Sequence, residues 1–370
     1  MVHKDAVAGG RLPGILCIAV LGVILSLGLW PFHVPANDVA WLGNRNGLRL
    51  GRDSTVISAS AFQAEEHGPG SGSIEIWLQP ARVWVASTLL SFSGTGHSEP
   101  FRMRQSLTDL ELHEGGTSRL YVDEIFRQRK PRFITVTSGV PGTEVYIDGV
   151  LAKTARFRLS AADLAGRLIL GDAPGQTDSW AGTLFGAAVY QRELTAAEVS
   201  KHYQTWTQQG RPEIDASERC RALYQFDERA GTVVHSRVEP GVDLQIPARY
   251  MVLDQKFLEP FWEEFSLSRS YASAALKNIV GFVPVGFVFF AYLSGVRGMR
   301  RAALVTVLLG ALISLTIEVL QGFLPTRDSG TTDLFTNTLG TWLGVWLYLR
   351  LHRWAAATFP WLPLFPTPRR

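Results

Sequence analysis

The chain has 370 residues, of which 46% are hydrophobic and 19% charged, and its formal net charge is +3. This balance excludes a disordered chain and is far from that of a strongly basic nucleic-acid-binding protein, so nucleic acid is not an expected partner. Two cysteines exclude a disulfide-rich scaffold and a four-thiolate zinc site. The apolar residues concentrate at both ends, whereas the middle has the composition of a soluble domain.

The first apolar stretch, residues 14–30, carries no charge and follows Lys4 and Arg11. At about 1.5 Å per residue, it spans most of a hydrocarbon core of roughly 30 Å. We therefore predict a first transmembrane helix over 14–31. A secretory signal peptide cleaved after Val34-Pro35-Ala36 is the alternative, although the stretch is longer than the roughly 7–15 residues of a usual signal core. Whether the segment is retained or cleaved stays open.

The middle of the chain, residues 45–250, is typical of an all-β sandwich because short β-branched runs alternate with Gly, Pro, Asp and Ser. Asp148-Gly149 predicts a tight hairpin turn, since both positions tolerate a positive φ. Thr195 with Glu198 predicts a capped helix over 195–206. The predicted strands include Ser73–Leu78, Thr88–Ser93, Arg119–Ile125, Phe133–Thr137, Glu144–Ile147 and Arg167–Leu170.

The C-terminal part, residues 253–354, contains apolar stretches that predict three more transmembrane helices and so a four-helix bundle in all. They cover 278–296, 302–324 and 335–351. Arg297, Arg300 and Arg301 lie between the second and third spans, and further arginines follow the fourth. By the positive-inside rule, both termini are cytoplasmic and residues 31–277 are extracytoplasmic. We expect a multi-pass protein of the plasma (inner) membrane, with the lipid bilayer as a partner.

An aromatic segment, 255–267, precedes the second span. Phe257, Phe261, Trp262 and Phe265 fall on one face of a helix drawn through it. This pattern predicts either an interfacial helix lying on the outer leaflet or a helix packed on the soluble domain, and the sequence leaves both open.

Residues 133–206 contain a motif series: a strand, a Tyr-Ile-Asp-Gly hairpin, a Leu-Gly turn, Trp-x-Gly, an apolar strand ending in Tyr, and a short helix. The series resembles a concanavalin A-like jelly roll of the laminin-G (LamG) type. That resemblance implies glycan or protein ligands, and often calcium, at loops on one rim. Asp172 and Asp178 are the candidate calcium ligands, with Asn44 as a further loop oxygen donor.

Exposed tryptophans are candidates for stacking on sugars, and Trp84 is the better ligand-binding candidate because Trp180 is expected in the core. The glycosidase branch of this fold uses two alternating carboxylates on one strand. None of the strands predicted above carries such a pair. Neither a glycine-rich phosphate loop nor a nucleophile elbow occurs in the sequence. Catalysis is therefore not expected of this domain.

Polar residues in the C-terminal spans form the second candidate site, whose catalytic or structural role the sequence leaves open. Glu318 and Gln321 are spaced i, i+3, and Asp333 and Asn337 are spaced i, i+4, so each pair shares a helix face. A carboxylate within a membrane helix normally faces protein or a water-filled cavity. The candidate cluster is Glu318, Gln321, Arg327, Asp333, Asn337 and Asn278. Arg327 either pairs with Glu318 or Asp333 or binds a phosphate or carboxylate ligand.

Three motifs follow one another here: Asn-x-x-Gly-Phe-x-Pro-x-Gly, Glu-x-x-Gln-x-Phe-x-Pro-x-Arg-Asp, and Thr-Thr-Asp-Leu-x-x-Asn-x-x-Gly-x-x-x-Gly. Together they resemble the VanZ-like membrane family, with the jelly roll inserted after the first span. The resemblance implies a place in the cell envelope and a link to glycopeptide-antibiotic resistance, without naming a reaction. An acidic residue that many family members carry about one turn before the Asn is replaced by Ser273-Ala274-Ala275.

These observations leave three functions open. The first is a membrane-anchored envelope protein whose jelly roll binds glycan or protein. The second is an intramembrane enzyme or factor that acts on a lipid-linked or phosphorylated envelope precursor. The third is a structural component with no ligand.

Overall fold

The structure is a computed structural model that describes residues 5–63, 71–93, 101–114, 118–159, 162–175, 179–265, 269–297 and 299–358. The chain divides into two compact units. A β-rich unit is formed by Val34–Gln255, and a helical unit is formed by Met1–His33 together with Lys256–Arg370. The β-rich unit is therefore an insertion between two parts of the helical unit.

Strands in the described part of the β-rich unit are β1 (Val39–Trp41), β2 (Leu48–Leu50), β3 (Val56–Ser58), β4 (Gly72–Pro80), β5 (Val85–Ser93), β6 (Arg102–Leu107), β7 (Asp109–Glu114), β8 (Ser118–Val122), β9 (Arg132–Gly139), β10 (Gly142–Ile147), β11 (Val150–Ala155), β12 (Arg167–Leu170), β13 (Gly182–Tyr190), β14 (Cys220–Tyr224), β15 (Val233–Val234) and β16 (Leu244–Gln245). Helix α2 (Ala196–Gln209) follows β13. Five of the six strands predicted from sequence lie within observed strands, whereas the one predicted over Arg119–Ile125 ends at Val122, where a turn begins.

The strands form two antiparallel sheets. One has the order β1-β2-β13-β4-β9-β10-β11, with β14 also paired to β13, and the other has the order β15-β16-β3-β12-β5-β6-β7-β8. Alternate residues of both sheets, such as Ile74, Ile76, Leu90 and Phe92, are fully buried in one core. The prediction of an all-β sandwich is confirmed.

Local sequence signals fix the turns of this unit. Asp148 and Gly149 adopt φ values of 53° and 78° and join β10 to β11, because a two-residue hairpin needs a positive φ at both positions. The Thr195 side chain accepts the N–H of Glu198, and the Glu198 side chain accepts the N–H of Thr195, as a capping box requires.

Helices of the helical unit are α1 (Asp5–Leu29), α3 (Phe261–Glu264), α4 (Arg269–Ala291), α5 (Ala302–Gln321) and α6 (Thr331–Thr358). Within the described residues, two helical segments are long and apolar enough to cross a membrane, Tyr271–Gly295 and Ala302–Gln321. A shorter apolar helical segment covers Pro13–Leu29. Residues 335–351, predicted as a span, lie inside the longer helix α6 and do not meet the same criterion.

Helices α4 and α6 approach closely through small residues. A Cβ added to Gly340 would lie 2.2 Å from the backbone oxygen of Ile279, and one added to Gly344 would lie 2.1 Å from that of Val283. On α4, a Cβ at Gly286 would lie 1.9 Å from the backbone oxygen of Thr341. The small-residue spacing seen in the sequence therefore corresponds to backbone contact between these two helices.

The aromatic segment before α4 differs from both sequence interpretations. It is helical only over Phe261–Glu264, and it belongs to the helical unit, not to the β-rich unit. Pro260 starts this single turn and Phe265 returns to extended backbone, so a helix over 255–267 does not form. Phe257 packs on Phe323 and Phe261 packs edge-on against Phe335, yet these side chains stay largely exposed.

Candidate functional sites

The polar residues predicted as a cluster in the C-terminal helices all line one cavity of about 230 Å³ in the helical unit. Glu318 and Gln321 occupy the last turn of α5, and Asp333 and Asn337 occupy the start of α6. The intervening loop is short, so the two helix ends meet. The other residues lining the cavity are Ile24, Leu27, Gly28, Lys277, Asn278, Gly281, Phe282, Ile317 and Arg327.

Glu318 is the most deeply buried carboxyl group of this cavity, with 1% of its surface exposed. Its Oε2 accepts the backbone N–H of Gly330 at 2.9 Å, and its backbone oxygen accepts the Ser329 hydroxyl at 2.8 Å. Two bonds therefore tie the end of α5 to the start of α6. The Glu318 side chain is held in place by one backbone donor.

Asp333 faces the same cavity and accepts a hydrogen bond from the side chain of Asn278. Within the described part of the chain, no ion pair links Glu318 or Asp333 to a Lys, Arg or His side chain. Of the two roles that the sequence left open for Arg327, pairing with Glu318 or Asp333 is therefore not observed among the described residues. Glu318 and Asp333 therefore have only uncharged hydrogen-bond partners among the described residues. A buried carboxylate without a cationic partner is energetically unfavourable.

Two amide side chains that line the cavity each have a buried side-chain oxygen without a hydrogen bond. Gln321 is 8% exposed and its Nε2 donates to the backbone oxygen of Gly28 at 2.8 Å, which fixes the direction of the amide. Asn337 is 5% exposed and its Nδ2 donates to the Ser314 hydroxyl at 2.9 Å. The side-chain oxygens of Gln321 and Asn337 are buried and accept no hydrogen bond. Buried side-chain oxygens normally accept a hydrogen bond, so a donor from a bound molecule would complete these two.

Arg327 points toward the end of α1 and not toward the carboxylates. Its Nε and Nη2 donate to the backbone oxygen of Trp30 at 3.0 and 2.8 Å, and Nη2 also reaches that of Leu27 at 3.3 Å. The C-terminal carbonyls of a helix lack partners within the helix, so a guanidinium is a favourable cap. A bidentate fork toward a ligand phosphate would break these bonds.

A second cavity, of about 210 Å³, lies in the β-rich unit where the turns before β3, β5 and β13 meet. Its lining is basic and polar, with Arg52 and Arg82 beside Asp53, Ser87 and Ser179. Ser87 is 4% exposed and its hydroxyl has no hydrogen-bond partner. The cavity can therefore offer guanidinium donors and a buried hydroxyl to a small polar ligand.

Trp84 projects from the turn that supplies Arg82 and Val85 to this cavity. The indole is 70% exposed, and its backbone adopts a φ of 65°, which is unfavourable for a bulky residue. An exposed ring on a strained turn contributes little to folding and is a frequent mark of a binding site. Trp180 is fully buried, and its Nε1 donates to Gln105 at 2.9 Å, which confirms its place in the core.

The calcium interpretation of Asp172 does not fit its surroundings. Asp172 is 1% exposed, its Oδ2 accepts the Tyr250 hydroxyl at 2.6 Å, and its Oδ1 accepts the N–H of Ala173 at 2.8 Å. Asp178 lies outside the described residues, and Asn44 is exposed. Within the part that the structure describes, no group of three or more His, Cys, Asp or Glu side chains is arranged to hold a metal ion.

Strand β7 contains a carboxylate pair that the sequence analysis missed, because residues 101–114 were not recognised as strands. Asp109 and Glu111 alternate along it. Glu111 accepts the Tyr121 hydroxyl at 2.5 Å and lies 2.7 Å from His113. Although burial alone raises the pKa of Glu111, these partners outweigh it and lower that pKa. A carboxylate kept ionised in this way is unsuited to act as the general acid of a glycosidase.

A buried ionic network was also missed. His202 of α2 lies between two carboxylates, with Nδ1 3.1 Å from Glu75 and Nε2 2.9 Å from Glu218, and all three side chains are at most 4% exposed. Glu75 additionally accepts the Tyr190 hydroxyl at 2.7 Å and the Thr135 hydroxyl at 3.3 Å. The network fastens α2 to β4 and β13, so its role is structural.

Comparison with protein families identifies both units. Residues 50–200 match the model of the concanavalin A-like lectin/glucanases superfamily, and residues 229–352 match the VanZ/LLP1 model. No curated protein matches the sequence of this chain.

Solved structures give distant matches. A protein from Bacteroides ovatus described as carbohydrate-binding has 12% identity and a TM-score of 0.40, over 58% of each chain. Botulinum neurotoxin type C, whose cell entry depends on two ganglioside molecules, has 17% identity and a TM-score of 0.34, over 46% of this chain and 45% of the toxin chain. Trypanosoma rangeli sialidase in complex with sialic acid has 14% identity and a TM-score of 0.37, over 47% and 29%.

The chain thus spans less than two thirds of each of these structures. The family matches agree with the motif order in the sequence, although the VanZ/LLP1 match begins at residue 229, inside the β-rich unit, and extends from there into the helical unit. The chain therefore combines a segment that matches the VanZ/LLP1 family, residues 229–352, with a domain that matches the concanavalin A-like lectin/glucanases superfamily, residues 50–200.

Proposed function

We propose that this protein is a multi-pass membrane protein of the cell envelope whose extracytoplasmic sandwich binds acidic glycans at the Trp84 turn. The observation that carries the glycan site is the exposed indole of Trp84 beside a cavity lined by Arg52 and Arg82. An aromatic face stacks on a sugar ring, and a guanidinium binds a carboxylate or phosphate by paired hydrogen bonds. A sugar with a carboxylate or phosphate group would satisfy both.

The membrane part of the proposal rests on the VanZ-like domain and its two apolar helices, which indicate membrane association. Four of the helices, α1, α4, α5 and α6, would cross the bilayer as a bundle. Aromatic side chains are exposed where α5 ends and α6 begins, as at a membrane–water interface. They are Trp30, Phe32, Phe257, Phe261, Trp262, Phe265, Phe323 and Phe335. Arg297, Arg300 and Arg301 lie in the loop that joins the opposite ends of α4 and α5, which favours a cytoplasmic loop.

The glycan site is tested on the full chain in lipid nanodiscs, with an array of envelope glycans that includes uronic-acid, phosphorylated and neutral members. We expect saturable binding to acidic glycans and at least about tenfold weaker binding after Trp84→Ala or Arg82→Gln, which corresponds to about 1.4 kcal/mol. Val150→Ala and Arg211→Gln alter exposed side chains that do not line the cavity, and should bind like the parent. Equal binding by Trp84→Ala and the parent would refute the site.

The topology is tested by labelling single cysteines in cells with a membrane-impermeant maleimide. In a background of Cys17→Ser and Cys220→Ser, we expect Thr207→Cys to react from outside and Met299→Cys to react only after permeabilisation. Labelling of both positions from outside would refute the proposed orientation, and it would leave the glycan site untouched.

A further inference from the structure

The floor of the helical-unit cavity, formed by Glu318, Gln321 and Asn337, is made of acceptors. All three side chains are more than nine-tenths buried and line the cavity. The side-chain oxygens of Gln321 and Asn337 have no hydrogen-bond partner, and Glu318 has no ion-pair partner among the described residues. A buried acceptor without a donor is energetically unfavourable, so the floor is incomplete without a group that brings donors.

The remaining polar side chains around the cavity differ in charge and exposure. Asp333, half-buried, adds a second carboxyl group next to the floor. Lys277 is exposed and forms the basic rim of the cavity, whereas Arg327 also lines the cavity but donates to the backbone oxygens of Trp30 and Leu27. The cavity is therefore asymmetric, with carboxyl and amide groups inside and the Lys277 ammonium at the mouth.

We propose that this cavity binds a zwitterion whose primary ammonium group enters the floor while its phosphate stays at the basic rim. A primary ammonium has three N–H donors and one positive charge, which meets the amide oxygens of Gln321 and Asn337 and the carboxylate of Glu318. A charge-assisted bond of this kind offsets the cost of burying that carboxylate. The Lys277 ammonium is a point-charge partner for the phosphate.

Size and donor type distinguish this ligand from a metal ion. A cavity of about 230 Å³ has room for several water-sized groups, since one water occupies about 30 Å³ in the liquid. The floor supplies one carboxylate and two amide oxygens, and the described residues hold no group of three or more His, Cys, Asp or Glu that would suit a metal. Phosphoethanolamine is the simplest molecule that carries both a primary ammonium and a phosphate group. It is available both as the headgroup of an ethanolamine lipid and as a free solute.

The test uses the full chain in nanodiscs of phosphatidylcholine and phosphatidylglycerol, with thermal unfolding followed during titration of phosphoethanolamine. A ligand that binds the folded state raises the transition temperature in a saturable way. We expect phosphoethanolamine to do so and phosphocholine, which has the same charges but no N–H donor, to bind at least tenfold more weakly. Nanodiscs that contain phosphatidylethanolamine and no free amine distinguish the source. A raised transition there that free phosphoethanolamine no longer shifts identifies the lipid headgroup, whereas an unshifted transition identifies the free solute.

Conservative variants assign the contacts. Glu318→Gln keeps an acceptor for the N–H of Gly330 while removing the charge, and should weaken phosphoethanolamine at least tenfold. Lys277→Gln should weaken phosphoethanolamine several-fold and leave ethanolamine, which has no phosphate, within about twofold. Glu263→Gln removes an exposed carboxyl group of the same unit that does not line the cavity, and is the matched control. Asp333→Asn provides a second charge-removing variant if Glu318→Gln does not fold.

The proposal is overturned by any of three results: no saturable shift, an equal shift with phosphocholine, or a shift that neither Glu318→Gln nor Asp333→Asn reduces. A shift with Mg²⁺ alone and none with phosphoethanolamine would assign the cavity to a metal and also overturn it. None of these outcomes depends on the glycan site, which lies in the other unit.

Discussion

Glu75 in the β-rich unit and Glu318 in the helical unit are both almost fully buried, but their surroundings differ. Glu75 is matched by the His202 imidazole and by two hydroxyl groups, so its charge is compensated within the protein. Glu318 receives one backbone N–H and no cation among the described residues. A buried carboxyl group that has a cationic partner contributes to one fixed fold, whereas one that has no such partner indicates a missing group.

The largest effect is expected when the buried network of His202, Glu75 and Glu218 is broken. His202→Ala would leave Glu75 and Glu218 buried without their cation, and the free energy of unfolding of the β-rich unit should fall by about 3–5 kcal/mol. Urea unfolding followed by tryptophan fluorescence measures this, because Trp206 lies on the same helix. His235→Ala is the control, since His235 is 61% exposed and its pair with Asp243 should be worth less than about 1 kcal/mol. A loss for His202→Ala no greater than that of the control would contradict the structural role.

The next effect concerns the helices that surround the cavity. Gly340→Ala places a methyl group 2.2 Å from the backbone oxygen of Ile279, so α4 and α6 must separate. We expect a loss of roughly 1–3 kcal/mol in the stability of the helical unit. Gly281→Ala on α4 meets nothing within 4 Å and should be neutral. Unfolding in nanodiscs compares the two variants, and equal stability would mean that α4 and α6 do not pack through Gly340.

The pH dependence of stability sharpens the comparison further. Burial alone lowers the pKa of His202, but its hydrogen bonds and charge interactions with Glu75 and Glu218 outweigh burial and raise that pKa above its ordinary value of 6.5. The stabilisation is therefore complete below about pH 6.5, the unfolded pKa, and is lost as the pH rises through the folded pKa.

Unfolding of the parent and of His202→Gln at several pH values isolates this contribution. We expect the stability difference between them to shrink as the pH rises above 6.5. His113 acts with the opposite sign, since burial lowers its pKa, but it contributes equally to both proteins. A stability difference that grows with pH would show that His202 is neutral in the folded protein.

The smallest effect on stability is expected at the Glu318 carboxyl group. Glu318→Gln removes a buried charge that has no protein cation and keeps an acceptor for Gly330, so the stability of the unliganded helical unit should change by less than about 1 kcal/mol. Thermal unfolding without added ligand provides the measurement. A loss of more than about 2 kcal/mol would mean that Glu318 holds the helices together and that its surroundings are already complete.

Local signals were sufficient for much of this structure. The Asp148-Gly149 hairpin and the Thr195 cap depend on residues within three positions of each other, and both formed as predicted. The cavity residues followed from helix spacing, because i, i+3 and i, i+4 pairs at two adjacent helix ends meet across a short loop.

Contacts between residues that are far apart in the sequence could not be predicted from local patterns. Asp172 looked like a loop ligand, but its carboxylate is occupied by Tyr250, 78 residues away. His202 is the sole histidine of its helix, and its partners Glu75 and Glu218 come from other elements. Pairing with a carboxylate close in sequence was one of two roles left open for Arg327, whereas its donors bind backbone oxygens at the end of α1, nearly 300 residues away.

The contact between Arg327 and Trp30 has a consequence for biosynthesis, because the two residues are 297 positions apart. At roughly 5–20 residues per second, about 15–60 s pass between the synthesis of α1 and that of its cap. Gln321, which binds the backbone oxygen of Gly28, arrives equally late. The backbone oxygens in the last turn of α1 therefore lack these hydrogen bonds while the whole β-rich unit is translated. A chain released before residue 327 would leave that helix end without the Arg327 contact.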